Sequence, residues 1–182
     1  MRFGEKVRGV VIVIGIVALF AVHATEAGSF SAKVAVGQPA PAFVLPGLLD
    51  AQSQSLTELK GKVVLLNIWA SWCSGCREEM EDLMTVQDLY GPRGFSIVAV
   101  NIDNSSSTAI DFMKRLEDKM KKKTGFILLY DKDKVVSKDY RQRGMPTSYL
   151  IDREGNLKKI YPGSFNQGTL GTLKTAIEEA LK

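Results

Sequence analysis

Residues 63–76 read Val-Val-Leu-Leu-Asn-Ile-Trp-Ala-Ser-Trp-Cys-Ser-Gly-Cys, and this stretch decides the fold of the chain. Its first eight residues are apolar except for one asparagine, which predicts a strand buried on both faces of a sheet. From Cys76 onward, apolar residues recur at spacings of three and four, which predicts an amphipathic helix that ends at Gly91-Pro92. A buried strand that passes directly into a helix is typical of α/β folds.

The same alternation of strand and helix patterns continues to the C-terminus. Further strands are predicted at 95–100, 126–130, 147–151 and 157–161. A helix with an apolar face of Ala109, Phe112, Leu116 and Met120 is predicted after Ser105, and a closing helix carries Leu170, Leu173, Ile177 and Leu181. Residues 152–156 form the turn of a hairpin between the last two strands. This order predicts an α/β domain with a mixed central sheet.

Cys73 and Cys76 are the two cysteines of the chain, and they lie between the predicted strand and its helix. Their spacing places the first thiol at the helix N-terminus and the second within the first turn. Unpaired N–H groups and the helix dipole stabilise a thiolate there, and the thiolate is the form that attacks disulfides. The pair also matches half of a zinc site, but the chain has no further cysteine to complete one. We therefore predict a redox pair, with two inert buried thiols or a static disulfide as the alternative.

The composition excludes several other kinds of chemistry. A chain of 182 residues is long enough for one globular domain, and its formal net charge of +4 gives no reason to expect a nucleic-acid partner. The single histidine, His23, lies at the end of the N-terminal apolar segment. A protein without that segment could use neither Ser-His-Asp nor Cys-His catalysis. We predict no cofactor and no metal.

Residues 1–27 have the pattern of a signal peptide or a signal-anchor. Basic residues precede the apolar residues 10–22, a run shorter than the roughly 20 residues of a membrane-spanning helix. The uncharged stretch around this run is longer, so a cleaved signal peptide and a retained membrane tether both remain open. Residues 28–33 are small and polar and predict a linker, which leaves 34–182 as the folded domain. Either alternative predicts export.

Four segments of the chain resemble the thioredoxin superfamily and, within it, the exported TlpA/ResA-like thiol–disulfide oxidoreductases. They are the lead-in at 36–45, the strand and its approach to the first cysteine at 61–73, the helix start at 76–80, and the loop and strand at 144–152. The resemblance implies a thioredoxin-like fold, in which helices flank a mixed central sheet that an N-terminal hairpin precedes.

The resemblance also implies roles for individual residues. Cys73 would be the nucleophile and Cys76 the resolving thiol. Pro146 would form a cis peptide bond with Met145 beside the cysteines, where a substrate chain pairs with the backbone. Glu79, three residues after Cys76, would accept a proton from a thiol if it is buried. The alternative for Glu79 is a solvated glutamate on the helix surface.

At two positions the chain departs from the pattern of this family, and at a third it differs from cytoplasmic thioredoxins. Gly75 stands where the family usually has a proline before the second cysteine, and Glu81 where it often has a helix-kinking proline. Because glycine retains a backbone N–H that proline lacks, the redox potential of relatives is not carried over. Asn67 replaces the buried aspartate of cytoplasmic thioredoxins, which leaves more of the proton transfer to Glu79. Trp72 is expected to cover part of the thiol and to contact the substrate.

The predicted function is the reduction of disulfides in exported proteins, with apocytochrome c as one substrate known in the family. The partners would be disulfide-bearing proteins and a thiol electron donor. The protein would be a monomer in the periplasm or at the outer face of the cytoplasmic membrane. One alternative is a thiol peroxidase, although Ala70 stands where peroxiredoxins usually have threonine. The other is a non-catalytic binding module that uses the proline groove, and the intact cysteine pair argues against it.

Overall fold

The computed structural model describes Met1, residues 34–50 and residues 52–182. The leader and linker predicted before Val34 lie, apart from Met1, outside these described residues. None of the described helices combines the length and the apolar character that crossing a membrane requires.

Seven strands and four α-helices make up the described domain. The strands are β1 (Val44–Pro46), β2 (Ser53–Ser55), β3 (Val63–Trp69), β4 (Phe95–Asn101), β5 (Ile127–Tyr130), β6 (Thr147–Ile151) and β7 (Leu157–Pro162). The helices are α1 (Ser74–Tyr90), α2 (Ser106–Met120), α3 (Val135–Asp139) and α4 (Gln167–Ala180). Two short 3-10 helices, Leu56–Leu59 and Gly91–Arg93, lie before β3 and after α1.

The central sheet has five strands in the order β5-β4-β3-β6-β7. β3 and β5 both run parallel to β4, whereas β6 runs antiparallel to β3 and to β7. Every residue of β3 and β4 is buried, as the apolar runs predict for strands that are covered on both faces. The mixed central sheet flanked by helices is thereby confirmed.

The N-terminal hairpin is also present, as a separate two-stranded sheet of β1 and β2. Gly47 forms a bridge with Leu129 of β5, and the Leu48 N–H donates to the Leu128 carbonyl at 2.8 Å. The residues that follow β1 therefore occupy part of the outer edge of β5, which would otherwise expose unpaired backbone groups.

The buried face of α2 differs from the one predicted. Ala109, Met113 and Leu116 are its buried residues, whereas Phe112 and Met120 are only partly buried. Phe112 instead lies against the side of the core, with its ring centroid 5.6 Å from that of Trp69. The buried face of α2 thus includes Met113, which the spacing did not predict, and Phe112 and Met120 are less deeply buried than expected.

The register of the sheet brings two distant segments together at one edge. Ile68, near the end of β3, pairs with Thr147 at the start of β6. Because the two strands are antiparallel, the residues after β3 and the residues before β6 lie at the same end of the sheet. These are the turn that leads to Cys73 and the Met145-Pro146 pair.

Candidate active site

The cysteine pair lies at the N-terminus of α1, and its two sulfurs form a disulfide. Cys73 is the N-cap residue, with an extended backbone, and its Sγ accepts a hydrogen bond of 3.2 Å from the N–H of Cys76. Cys73 retains 9% of its surface exposure and Cys76 retains none. The sulfur that a second protein can reach is therefore Cys73, and it sits where helix N–H groups favour a thiolate.

The turn between β3 and Cys73 is held by Asp103, a residue that sequence reasoning did not find. Its carboxylate oxygens accept the N–H of Ser71 at 3.0 and 3.3 Å. Asn101 and Thr108 also donate to this carboxylate, which is only 2% exposed. The sequence signal for this residue was its place in Asn101-Ile102-Asp103, at the end of the buried strand β4. Because β4 is parallel to β3, the two strands end at the same edge of the sheet, so Asp103 lies near the turn after β3.

The peptide bond between Met145 and Pro146 is cis, the geometry that the resemblance implies. Pro146 is buried and Met145 is partly buried. A β-carbon built on Gly75 would lie 3.6 Å from Cδ of Pro146, so the proline ring faces the loop between the two cysteines. The structure thus brings Met145 and Pro146 to the cysteine pair.

Glu79 is buried, with 1% of its surface exposed, on the same face of α1 as Cys76. The solvated alternative is therefore wrong. The Nδ2 of Asn67 donates to its Oε1 at 2.8 Å, and the N–H of Phe165 donates to its Oε2 at 3.0 Å. Burial raises the pKa of Glu79 to about 7, and these two hydrogen bonds oppose the rise. The carboxyl group is consequently poised to exchange a proton near neutral pH.

Asn67 connects this carboxyl group to the neighbouring strand. Its Nδ2 also donates to Oγ of Ser148 in β6 at 2.8 Å, and all three side chains are buried. Ser148 and Phe165 were not found from the sequence. They are separated from their partners by 81 and 86 residues, so only the folded sheet brings them together.

The segment 163–166, between β7 and α4, forms a further wall of the site. The N–H of Gly163 donates to the Pro146 carbonyl at 2.9 Å, and Phe165 binds Glu79 as described. A β-carbon on Gly75 would lie only 2.2 Å from Oγ of Ser164. The segment can approach the cysteine loop this closely because residue 75 has no side chain.

The two tryptophans near the cysteines have different surroundings. Trp69 is completely buried in the core, whereas Trp72 is 67% exposed on the surface next to Cys73. Within the described residues, no cluster of His, Cys, Asp and Glu is arranged to hold a metal ion. What the site can perform with these groups is two-electron exchange between a dithiol and a disulfide, with one accessible sulfur and a buried acid behind it.

Comparison with known proteins identifies relatives over most of the chain. A family model described as Redoxin matches residues 35–177. Thiol-disulfide oxidoreductase ResA of Geobacillus thermodenitrificans is 34% identical over 134 residues, which are 74% of this chain and 73% of that protein. ResA of Bacillus subtilis is 30% identical over 138 residues, which are 76% of this chain and 73% of that protein.

A solved structure has the same architecture. The crystal structure assigned as a thiol:disulfide interchange protein DsbE from Chlorobium tepidum superposes with a TM-score of 0.74 at 33% identity, covering 82% of this chain and 100% of that one. The Redoxin match, over residues 35–177, spans the sheet, the cysteine pair and the proline loop together. The chain therefore belongs to the Redoxin family and is a thiol–disulfide oxidoreductase of the ResA/DsbE type with a thioredoxin-like fold.

Proposed function

We propose that this enzyme reduces disulfides of proteins outside the cytoplasm, with Cys73 as nucleophile, Cys76 as resolving thiol and Glu79 as proton acceptor. The Cys73 thiolate attacks the substrate disulfide, forms a mixed disulfide and releases one substrate thiolate. Cys76 then loses its proton to Glu79 and attacks Sγ of Cys73, which forms the Cys73–Cys76 disulfide and releases the second substrate thiolate. Two electrons pass from the dithiol to the substrate, and a separate thiol donor returns them.

The observation that carries this proposal is the burial of Glu79 one helical turn beyond the buried Cys76. Residues three apart on a helix have β-carbons about 5–6 Å from each other, so the two side chains are neighbours on the buried face of α1. A thiol with an ordinary pKa near 8.5 is mostly protonated at neutral pH. A carboxyl group with a pKa of about 7 is a suitable base for it.

Substrate binding would use the exposed Trp72 together with Met145 and Pro146. Trp72 presents a large apolar surface beside the accessible sulfur, and the backbone of Met145 would pair with an extended substrate chain. The Cys-x-x-Cys-His segment of an apocytochrome c is a substrate of suitable chemistry, because its two cysteines form a disulfide that haem attachment requires in reduced form. Reduction of such a peptide, followed by thiol labelling, tests this substrate class.

Export is supported by the basic and apolar pattern of residues 1–27. The enzyme would act as a monomer in the periplasm or at the outer face of the cytoplasmic membrane, tethered through residues 10–22 if the segment is retained. Mass spectrometry of the N-terminus, with fractionation of the cells, distinguishes a cleaved signal peptide from an anchor. Recovery of the intact chain in the cytosol would overturn the proposal of export.

The test of the mechanism is the variant Glu79→Gln, which keeps the size of the side chain and removes its proton affinity. We expect the resolving step to slow by on the order of 100-fold at neutral pH and to lose its dependence on a group with a pKa of about 7. Stopped-flow measurement of disulfide exchange across the pH range gives both quantities. Cys76→Ser is the companion variant and should trap a mixed disulfide through Cys73. An unchanged pH–rate profile in Glu79→Gln would remove Glu79 from the mechanism.

The direction of electron flow is tested by the reduction potential of the cysteine pair. A value near that of thioredoxin, about −270 mV, fits a reductase, whereas a value near about −120 mV fits an oxidant of protein thiols. Consumption of hydrogen peroxide by the reduced enzyme at a rate that exceeds disulfide reduction would favour the peroxidase alternative instead.

A further inference from the structure

Burial alone would leave Glu79 a poor proton acceptor. A carboxyl group fully removed from water can have a pKa of roughly 8–9, and it would then be protonated at neutral pH. Among the described residues no charged side chain forms an ion pair with it. Neither cysteine titrates while the disulfide is formed, and Tyr161, which packs on the Phe165 that binds Glu79, has a pKa of about 12 and is neutral at neutral pH. Hydrogen bonds are therefore the means by which this site can favour the carboxylate.

Two donors face the carboxyl group, and they differ in kind. The Phe165 N–H belongs to the backbone, so it can only donate. Asn67 carries an amide that can present either a donor or an acceptor, depending on the rotation of its side chain. The orientation of this amide therefore decides whether Asn67 favours the carboxylate or the carboxylic acid.

In the structure the amide of Asn67 has the donor orientation toward Glu79. Both hydrogens of Nδ2 are used, one toward Oε1 of Glu79 and one toward Oγ of Ser148. The Oδ1 of Asn67 is buried and has no hydrogen-bond partner among the described residues. A buried acceptor without a partner has a free-energy cost. The two hydrogen bonds donated by Nδ2 offset it.

We propose that Asn67 is a positioning residue that keeps Glu79 available as a proton acceptor, and that Ser148 holds the Asn67 side chain against the carboxyl group. The hydroxyl of Ser148 accepts the second Nδ2 hydrogen. A rotated amide could still bond to Ser148, because a hydroxyl also donates, but it would turn Oδ1 toward Oε1 of the carboxylate, and two acceptors form no hydrogen bond. No proton is transferred through Asn67. The effect of Asn67 on the Glu79 carboxyl group does not depend on the proposed function. The consequence of that effect for catalysis does rest on the proposed function of Glu79.

The test measures the Glu79 carboxyl group directly, by carbon-13 NMR titration of the full-length oxidised protein, in which neither cysteine titrates. Asn67→Leu has a similar shape and cannot donate, so we expect it to raise the pKa of Glu79 by about one unit. Asn101→Leu is the matched control, because it removes another buried asparagine that does not contact Glu79. It should leave the pKa of Glu79 unchanged. An unchanged pKa in Asn67→Leu overturns the proposal.

Variants of Ser148 test whether its hydroxyl holds the Asn67 amide against Glu79, and they remain informative if Asn67→Leu does not fold. Ser148→Ala should raise the pKa of Glu79, and Ser148→Thr, which keeps the hydroxyl, should restore it. In Ser148→Ala the NMR signals of the hydrogen-bonded Asn67 side-chain amide should be lost together with this rise in the pKa of Glu79. If Ser148→Ala leaves both the pKa and the amide signals unchanged, Ser148 does not hold Asn67 against Glu79.

The consequence for catalysis is separable from the effect on the carboxyl group. A rise of one unit lowers the ionised fraction of Glu79 at pH 7 from about one half to about one tenth, so the resolving step should slow about fivefold. Raising the pH by about one unit should recover the rate, which loss of structure would not allow. If the pKa rises in Asn67→Leu and the rate profile stays unchanged, the inference about Asn67 stands and the proposed role of Glu79 fails.

Discussion

Gly75 lies between the two cysteines and stands where this family usually has a proline. It lies in the first turn of α1, where backbone N–H groups have no acceptor within the helix. Such groups stabilise a thiolate on the N-cap cysteine. A proline at this position would remove one of them, and its ring would also meet Oγ of Ser164.

The contribution of the Gly75 N–H can be separated from the steric effect of a side chain. We expect Gly75→Pro to lower the reduction potential relative to Gly75→Ala, because only the proline removes the N–H that stabilises the reduced, thiolate form. A loss of about 1.4 kcal/mol of stabilisation corresponds to about 30 mV for this couple. Equilibration with a glutathione or dithiothreitol redox buffer gives the two potentials.

Both substitutions are made in a Ser164→Ala background, so that the added atoms do not meet the serine hydroxyl. Gly75→Ala then serves as the control for the added β-carbon and for the loss of glycine flexibility. Equal potentials in the two variants would mean that the N–H of residue 75 does not act on the thiolate.

Among the elements, the connection between β4 and α2 fixes the approach to the active site although it contains no reacting group. Asp103 in this connection accepts the Ser71 N–H and also binds Asn101 and Thr108. It therefore ties the turn before Cys73 to the end of the neighbouring strand. The geometry of the cysteine loop depends on this tie, because the turn lies between a rigid strand and a helix N-terminus.

Removal of the Asp103 carboxylate should loosen the active-site turn. Asp103→Ala leaves the partly buried Ser71 N–H without its acceptor, so we expect a loss of about 2 kcal/mol in the free energy of unfolding. We also expect slower alkylation of the reduced Cys73, because a looser turn no longer holds its sulfur at the helix N–H groups that stabilise the thiolate. Denaturant unfolding and iodoacetamide kinetics measure these effects. Asp111→Ala, on the exposed side of α2, is the control and should change neither quantity. A fully stable Asp103→Ala variant would show that the turn is held by other contacts.

Sequence patterns predicted the elements better than the contacts between polar residues. The apolar run at 63–70 indicated β3 because strands covered on both faces need no alternation. The cysteine spacing placed the pair at the start of α1 because a helix N-terminus follows the strand directly. Asp103, Ser148 and Phe165 were missed, since each binds a partner 32 to 86 residues away that only the fold brings near. The burial of Met113 in α2 was also missed, because the chosen apolar spacing did not include it.

For the whole molecule, the buried Glu79 gives stability a dependence on pH opposite to that of an ordinary ion-paired carboxylate. Burial raises its pKa from 4.5 to about 7, so the folded protein binds a proton more tightly than the unfolded chain does. Stability from this group is complete below pH 4.5 and is lost as the pH rises through about 7.

Glu117 has the opposite effect on the pH dependence of stability. Burial alone would raise its pKa, but bonds from Lys123 and Thr124 hold it below the usual value, so its contribution is lost only in acid.

We therefore expect the free energy of unfolding to include a contribution from Glu79 that falls by about 3 kcal/mol between pH 4.5 and pH 7 and is flat above pH 8 or so. Glu79→Gln cannot ionise, so the difference between the two proteins isolates this contribution from that of Glu117 and of the exposed carboxylates. The wild-type protein should lose stability relative to Glu79→Gln across this interval, because only the wild type must bury a negative charge. Denaturant unfolding of both oxidised proteins at closely spaced pH values provides the curve. Parallel curves for the two proteins would mean that the pKa of Glu79 is the same in the folded and in the unfolded chain, and a base with a pKa near neutral would then have to be sought elsewhere for Cys76.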